Sequence, residues 1–342
     1  MINKTGRIRE LDILRGFASL LMILGHSFII HPINISKVIW CNELQRFIYN
    51  FHMELFFLIA GAVYFCKNYG QFIASKTKRL VVPYAFFGIF NALIHAYGGD
   101  IVSKTVPMAE GLFKLLFKGG GYWFIFSLFT VFLIFPVIEK ICKKMWQKAL
   151  FTAVLLVIRE TIELPTMLLI DTTAYYLPYF IFGNLFFPII NSKICQNKHL
   201  RNAVAAILSF VIYVSIDIFS RSFDINRKIL DYVRALAIIL FFLLAAHYFA
   251  LLANKFKLAQ KIEIFFKDCS RFSLQFYLFN GYLLGVLRII VCRVFGIETP
   301  VVIVLSIFIS NILFTYVACK WVIPYIPVIR TLCGLKKESV KK

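Results

Sequence analysis

Charge is what this chain has least of: only 16% of its 342 residues are Asp, Glu, Lys or Arg, while 60% are hydrophobic. That ratio, with a mean hydropathy of +0.79, excludes an ordinary soluble domain of this length. Acidic residues are the scarcest, 17 against 38 Lys and Arg, for a formal net charge of +21. So basic a chain could serve nucleic acid or anionic lipid. Its cations lie in short gaps between apolar runs, where they orient a membrane protein and meet headgroups, so membrane lipids are the expected partner and nucleic acid is not. Paired cysteines are also missing: Cys41, Cys66, Cys142, Cys195, Cys269, Cys292, Cys319 and Cys333 contain no C-x2-C, which argues against a zinc site or a disulfide framework, and no metal is expected. No A-x-A-like cleavage site follows the first apolar run, which is read as retained. There is no internal repeat, no low-complexity tract and no polar stretch long enough to fold alone. The expectation is one membrane domain over residues 1–342, with a short basic tail at 330–342.

What is present starts with RELDILRGFASLLMILGHSFIIH, Arg9 to His31. Leu11 to Ile30 is almost wholly apolar and long enough to cross a bilayer at ~1.5 Å rise per residue. It nevertheless carries Arg15 and His26, each costing roughly 2.5–3.5 kcal/mol to insert. Eleven positions complete about three helical turns, which puts the two on nearly one face, ~16 Å apart. An Arg near a helix end also snorkels to headgroups, and a lone intramembrane His also bonds a neighbouring helix. The chemistry alone leaves both readings standing.

About ten apolar runs follow one another at membrane length. After the first come Phe47 to Cys66, Leu80 to Tyr97, Tyr122 to Ile138, Ala149 to Ile170, Ala174 to Ile190, Ala203 to Ser220, Ile229 to Ala253, Phe272 to Cys292 and Val301 to Ile323. The expected fold is all-α: a polytopic membrane protein of about ten transmembrane helices, with one interfacial helix at Met108 to Lys118, MAEGLFKLLFK, closed by three glycines. Alternate gaps hold the cations, such as Lys76, Lys78 and Arg79 or Lys140, Lys143, Lys144 and Lys148, which predicts both termini on the cytoplasmic side. With that orientation Arg15 lies near the inner edge. His26, Glu54, Glu160, Glu163, Asp217, Arg234 and Arg288 lie toward the outer half, implying a polar pocket open outward, with scattered helix–helix salt bridges as the rival explanation.

The R-x10-H line of Arg15 and His26, followed by FHMELFFLIAGAVYF, resembles the acyltransferase-3 family of integral membrane O-acylases. SKTKRLVVPY resembles the family's basic-loop-then-Pro-Tyr element, and GYWFIFSLF its Trp-Phe motif. SLQFYLFN is similar to its Ser-Leu-x-x-Tyr-Leu-x-His element, except that Asn280 stands where His is usual. Glu54 likewise stands where the family commonly has Pro. The resemblance implies acyl transfer, with acetyl-CoA as donor and a carbohydrate or lipid-linked saccharide as acceptor, in a bacterial cytoplasmic membrane.

On that reading His26 is the general base, Glu54 orients it, and Arg15 with Lys76, Lys78 and Arg79 holds the donor's phosphates. The acceptor is expected against Glu160, Glu163, Asp217, Arg234 and Asn280. No Ser nucleophile elbow is present, so direct transfer is favoured, with an acyl-His intermediate left open. The competing class is a transporter or flippase of a lipid-linked sugar, which would share the polar pocket but gives no reason for the Arg15–His26 line. The orientation has a direct check. In a cysteine-depleted background, a cysteine at position 105 should react with an impermeant thiol reagent on intact cells and one at position 75 should not; the reverse pattern overturns the assignment.

Overall fold

The computed structural model describes residues 8–98, 105–194, 198–223 and 228–335. In chain order the helices are α1 (Arg9–His26), α2 (Ile39–Tyr49), α3 (His52–Ala62), α4 (Tyr69–Lys76), α5 (Val82–Tyr97), α6 (Met108–Lys118), α7 (Trp123–Ile141) and α8 (Met145–Thr161), then α9 (Ile170–Ile194), α10 (His199–Ser222), α11 (Lys228–Ala253), α12 (Lys257–Arg271), α13 (Ser273–Ile289), α14 (Pro300–Val317) and α15 (Pro327–Leu332). There is no β-strand among the described residues. Long apolar segments satisfy every backbone N–H and C=O within themselves only as helices, which is what a bilayer demands. Of the basic tail, 336–342 lies outside the described residues, as do Lys104 and Cys195.

Among the described residues seven helical stretches are long and apolar enough to cross a membrane: Tyr69–Tyr97, Met108–Ile141, Met167–Ser192, His199–Ser222, Lys228–Ala253, Ser273–Val294 and Pro300–Tyr325. Three of the expected runs do not become such stretches, each for a local reason. The first lies in α1, which carries Arg9, Glu10, Asp12 and Arg15 in its opening turns and ends at His26. The second divides: the backbone turns at Asn50 and Phe51, so that α3 is only 11 residues long. The third stops at Thr161, before Pro165, and the chain becomes helical again only from Met167. Met108–Lys118 is a helix with the expected bounds. It runs antiparallel along the second half of α5, with Leu115 against Gly88 and Gly111 against Ala92, and the Tyr84 hydroxyl donates to the Leu115 carbonyl.

The core gathers around α1, α3, α7, α9 and α11, with Phe276 and Leu278 of α13. Large apolar side chains on the outer faces of the remaining helices stay exposed, for example Ile207, Val211 and Ile218 on α10, as a lipid-facing surface requires. The tightest crossing is α3 on α9. A Cβ built at Gly61 would lie 1.9 Å from the Phe180 carbonyl oxygen, and one at Gly183 would lie 2.0 Å from that of Leu58. Small residues that let two backbones approach are the usual device for helix association in lipid. α12 is the amphipathic exception, packing on α1 near Phe266. Its Glu263 receives Arg9 at 2.5 Å and Lys267 at 2.5 Å. Burial acts to raise the Glu263 carboxyl, but the hydrogen bonds and charges of those two cations hold it below its ordinary value.

The α3–α9 crossing predicts that Gly183→Val has no room. Overpacking typically costs ~1–3 kcal/mol, so the variant should unfold at lower temperature in detergent than wild type. Gly70→Ala, whose new methyl meets only Asn68 at 3.6 Å, should match wild type.

Candidate functional site

Three cavities follow one another along α1, and each shares walls with the next. Call the end of the bundle where α1 begins the near end. The near cavity, about 340 Å³, is lined by Asp12, Arg15, Arg79, Arg271 and Ser273 among others. The middle cavity, about 250 Å³, shares Arg15, Val63, Arg79, Ser273 and Leu274 with it, and adds Lys76 and an apolar wall of Phe56, Phe72, Leu128 and Phe132. The far cavity, about 820 Å³, shares Met22, Met53 and Tyr277 with the middle one and contains His26, His52, His95, Asn91, Asn280 and Arg288. Three helices supply residues in matching order: Arg15, Met22 and His26 on α1; Val63 just past the end of α3, then Met53 and His52 on it; Ser273, Tyr277 and Asn280 on α13. The Arg15–His26 spacing therefore measures a path of ~16 Å between the near and far cavities.

Helix ends hold the two histidines. His26 is the last residue of α1 and His52 the first of α3. The end of α2 seals that corner, since Gln45 Nε2 and the Tyr49 hydroxyl donate to the Gly25 carbonyl at 3.0 and 3.1 Å, partners for an acceptor that the helix end leaves unbonded. His26 Nδ1 lies 2.9 Å from the Met22 carbonyl and His52 Nδ1 lies 2.8 Å from that of Ile48. A carbonyl only accepts, so Nδ1 carries the hydrogen in both rings, and Nε2 of each neutral ring keeps its lone pair. The Tyr49 ring stands between them, 5.9 Å from His26 edge-on and 5.3 Å from His52 in a stack. His26 is exposed to the cavity and His52 is buried.

Aromatic rings form much of the far wall: Trp123 stacks on Tyr176 at 5.3 Å, and Tyr122, Tyr277 and Tyr282 face the same space. Asn280 is buried and accepts from Asn311 Nδ2 at 3.0 Å. With its oxygen so engaged, its own amide hydrogens are the groups left to face a ligand.

Several expected site residues go elsewhere. Glu54 does not line the cavity; it accepts from the Tyr175 hydroxyl at 3.1 Å, and no carboxylate lines the far cavity among the described residues. Glu160 and Glu163 are exposed and line none of these cavities. Asp217 and Arg234 belong to an ion network between α2, α10 and α11: Asp217 meets Arg46 at 2.9 Å, Arg221 at 2.8 Å and Arg234 at 3.6 Å, while Arg234 also bonds Asp231 at 2.7 Å. Those charges satisfy one another, the alternative that buried charge always leaves open. Lys78 is exposed and lines none of the three cavities, whereas Lys76, with its ammonium 3.9 Å from the Phe132 ring centre, and Arg79 line the middle one. Arg15, Lys76, Arg79, His26 and Asn280 are thus brought onto one path. Missed from the sequence were His52, open to the same insertion-cost argument as His26, and Arg271, which reads as one more loop cation.

Seven membrane-length helical stretches among the described residues mark an integral membrane protein. The particular family follows from comparison with known proteins. The chain belongs to the acyltransferase-3 family of membrane acyltransferases: the family's model, described as an acyltransferase domain, matches residues 8–320. A similar curated protein is nodulation protein NolL of Mesorhizobium japonicum, 25% identical over 132 residues. The match covers 37% of this chain and 35% of that protein, so the chain spans about a third of its length. No solved structure matches the chain.

The pairing of Glu54 with Tyr175 is testable by double-mutant cycles in the purified protein. Glu54→Leu and Tyr175→Phe should couple by ~0.5–3 kcal/mol in unfolding free energy, and Glu54→Leu with His26→Ala by close to zero. Coupling of Glu54 to His26 alone would restore the expected dyad.

Proposed function

We propose that the protein transfers an acetyl group from acetyl-CoA, entering at the near end, to a hydroxyl of a carbohydrate or lipid-linked saccharide in the far cavity. The observation that carries this reading is the succession of wall-sharing cavities from Arg15 and Arg79 to His26. The basic gaps put the near end on the cytoplasmic side, where the charged thioester is found. Arg15, Lys76 and Arg79 offer fixed cations to its phosphates. The pantetheine arm then crosses the apolar middle cavity and brings the thioester beside His26.

His26 suits the role of general base because its Nδ1–H is committed to Met22, which leaves Nε2 to take the proton. The acceptor oxygen loses that proton as it attacks the thioester carbonyl carbon. The C–S bond breaks, and the departing thiolate takes the proton back from the imidazolium, giving an ester and free CoA. The Asn280 amide is available to hold the carbonyl oxygen as negative charge develops on it. His52, stacked on the same tyrosine, keeps the His26 corner rigid. The stacked Trp123–Tyr176 wall offers flat apolar faces and the tyrosine hydroxyls offer polar edges, as pockets for sugar-like ligands do.

The expected result for His26→Ala is loss of transfer by at least ~100-fold, within the range for a general base, with normal abundance and unchanged acetyl-CoA binding. Lys76→Ala with Arg79→Ala should instead raise the KM for acetyl-CoA tenfold or more and leave kcat closer to wild type, since those contacts lie far from the reacting bond. Transfer of radiolabelled acetyl groups by purified protein in nanodiscs measures both. Folded wild-type protein that fails to bind acetyl-CoA at millimolar concentration would favour the flippase.

A further inference from the structure

Nothing in the packing requires glycine at two positions of α13, Gly281 and Gly285. Glycine inside a helix costs stability against a residue with a side chain, and a close helix crossing or a positive φ is the usual offset. Gly61 and Gly183 let α3 and α9 close on each other. A Cβ at Gly281 or Gly285 would meet nothing within 4 Å among the described residues, and neither has a positive φ. Four residues apart, the two stack on one face of the helix, and both line the far cavity.

This bare strip lies where the cavity opens sideways. Gly281 and Gly285 fall near the middle of the membrane-length stretch Ser273–Val294. Beside them the Tyr282 hydroxyl donates to the Phe87 carbonyl at 2.7 Å and the Tyr282 ring lies 5.5 Å from that of Phe90, which sets the middle of α5 at the same level. Phe90 and Val286 line the cavity and yet are 47% and 52% exposed, and Gly281 is exposed as well. Exposure halfway along two membrane-length helices is exposure to hydrocarbon. At the inner end of the strip stands Asn280, 4% exposed: its oxygen accepts from Asn311, and its Nδ2 hydrogens have no partner among the described residues. The opening thus has an apolar mouth between α5 and α13 and a buried polar group behind it.

We propose that the gap between α5 and α13 is a lateral entry from the bilayer, and that the acceptor is a lipid-linked saccharide whose hydrocarbon chain lies along Gly281 and Gly285 while its sugar reaches the far cavity. This rests on the proposed acyl transfer and chooses between the two acceptor classes given there. A free glycan has no use for a mouth at mid-membrane, because its hydroxyls would have to leave water to reach it. A sugar on a hydrocarbon chain does, since the chain stays in lipid while the head moves inward. The chain lies closest to the helix where side chains are missing, flanked by Phe90 and Val286, and the reacting end meets Asn280 and His26. Small residues four apart also serve the pairing of membrane helices. A second copy of this chain seated on the glycines would instead stopper the cavity, and the experiment distinguishes the two.

Inverted membrane vesicles from the source cells, carrying wild type or a variant, are given radiolabelled acetyl-CoA, and label is read in the chloroform–methanol extract and in the aqueous phase. Wild type should label the extract. Gly281→Leu with Gly285→Leu fills the strip and should lower that labelling tenfold or more, alanine at both positions should keep most of it, and Ile218→Phe on the lipid-facing side of α10 should match wild type. Purified in nanodiscs, the double leucine variant should unfold at no lower temperature than wild type and bind acetyl-CoA equally well, since its new side chains enter open space. Instability or lost acetyl-CoA binding in that variant would mean a packing role and overturn the proposal. So would undiminished labelling of the extract, or a wild-type dimer in nanodiscs that the leucines break, which would give the strip to a second copy. Wild-type protein that binds acetyl-CoA and labels only aqueous material would sink lateral entry alone, whereas wild type that binds no acetyl-CoA would sink the acyl-transfer reading and this inference with it.

Discussion

A charged or hydrogen-bonding side chain inside a bilayer must find a partner or a hydrated space, and in this protein that requirement sorts the intramembrane polar residues into two groups. One group pairs off. Arg46, Asp217, Arg221, Arg234 and Asp231 close a network between α2, α10 and α11, and Arg159 bonds Asp171 and Tyr232 beside it. The other group, with Arg15, His26, His52 and Asn280, keeps contacts of its own and also lines the cavities along α1 and α13. The first group ties helices together; the second leaves chemistry available. The two lie back to back across α3, whose His52 faces the cavity while its Glu54 turns to Tyr175.

Helical character and position along each helix were legible in the sequence, and direction around each helix was not. The all-helical fold, the Met108–Lys118 helix and the Arg15–His26 line all follow from the apolar runs and their polar residues. Facing depends on which neighbour each helix meets. Two positions along a helix rotate a side chain by about 200°, so His52 and Glu54 at one depth stand on opposite faces. The same geometry separates Lys78 from Lys76 and Arg79: the latter two are three residues apart and share a face, while Lys78 points away. Asp217 and Arg234 are visible in the sequence as charges within apolar runs, but only packing reveals that they face each other and not the cavity.

Short or broken helices were the other illegible feature. The apolar run from Phe47 to Cys66 contains no Gly or Pro before Gly61, yet the chain turns at Asn50 and Phe51. What makes the turn useful is tertiary: it lets Tyr49 reach the Gly25 carbonyl and brings His52 beside the end of α1. A continuous helix would carry Tyr49 and His52 in a fixed spiral and could not cap α1 in the same way. Hydropathy, which averages over a window, does not register a turn whose reason lies on another helix.

The middle cavity carries the hardest physical demand of the proposed reaction. On that proposal the linked cavities must let one long, mostly neutral arm through without passing ions. At about 250 Å³, with Phe56, Phe72, Leu128 and Phe132 in its wall, the middle cavity is the smallest of the three. Lys76 and Arg79 stand at this passage as well, and fixed cations there repel metal ions and protons while favouring an anionic donor on the near side. Selection of this kind needs no moving gate. On the proposed reaction the donor's phosphates would be held by charge at the near end, its arm would fill the narrow passage, and only the thioester, which carries no charge, would have to stand beside His26.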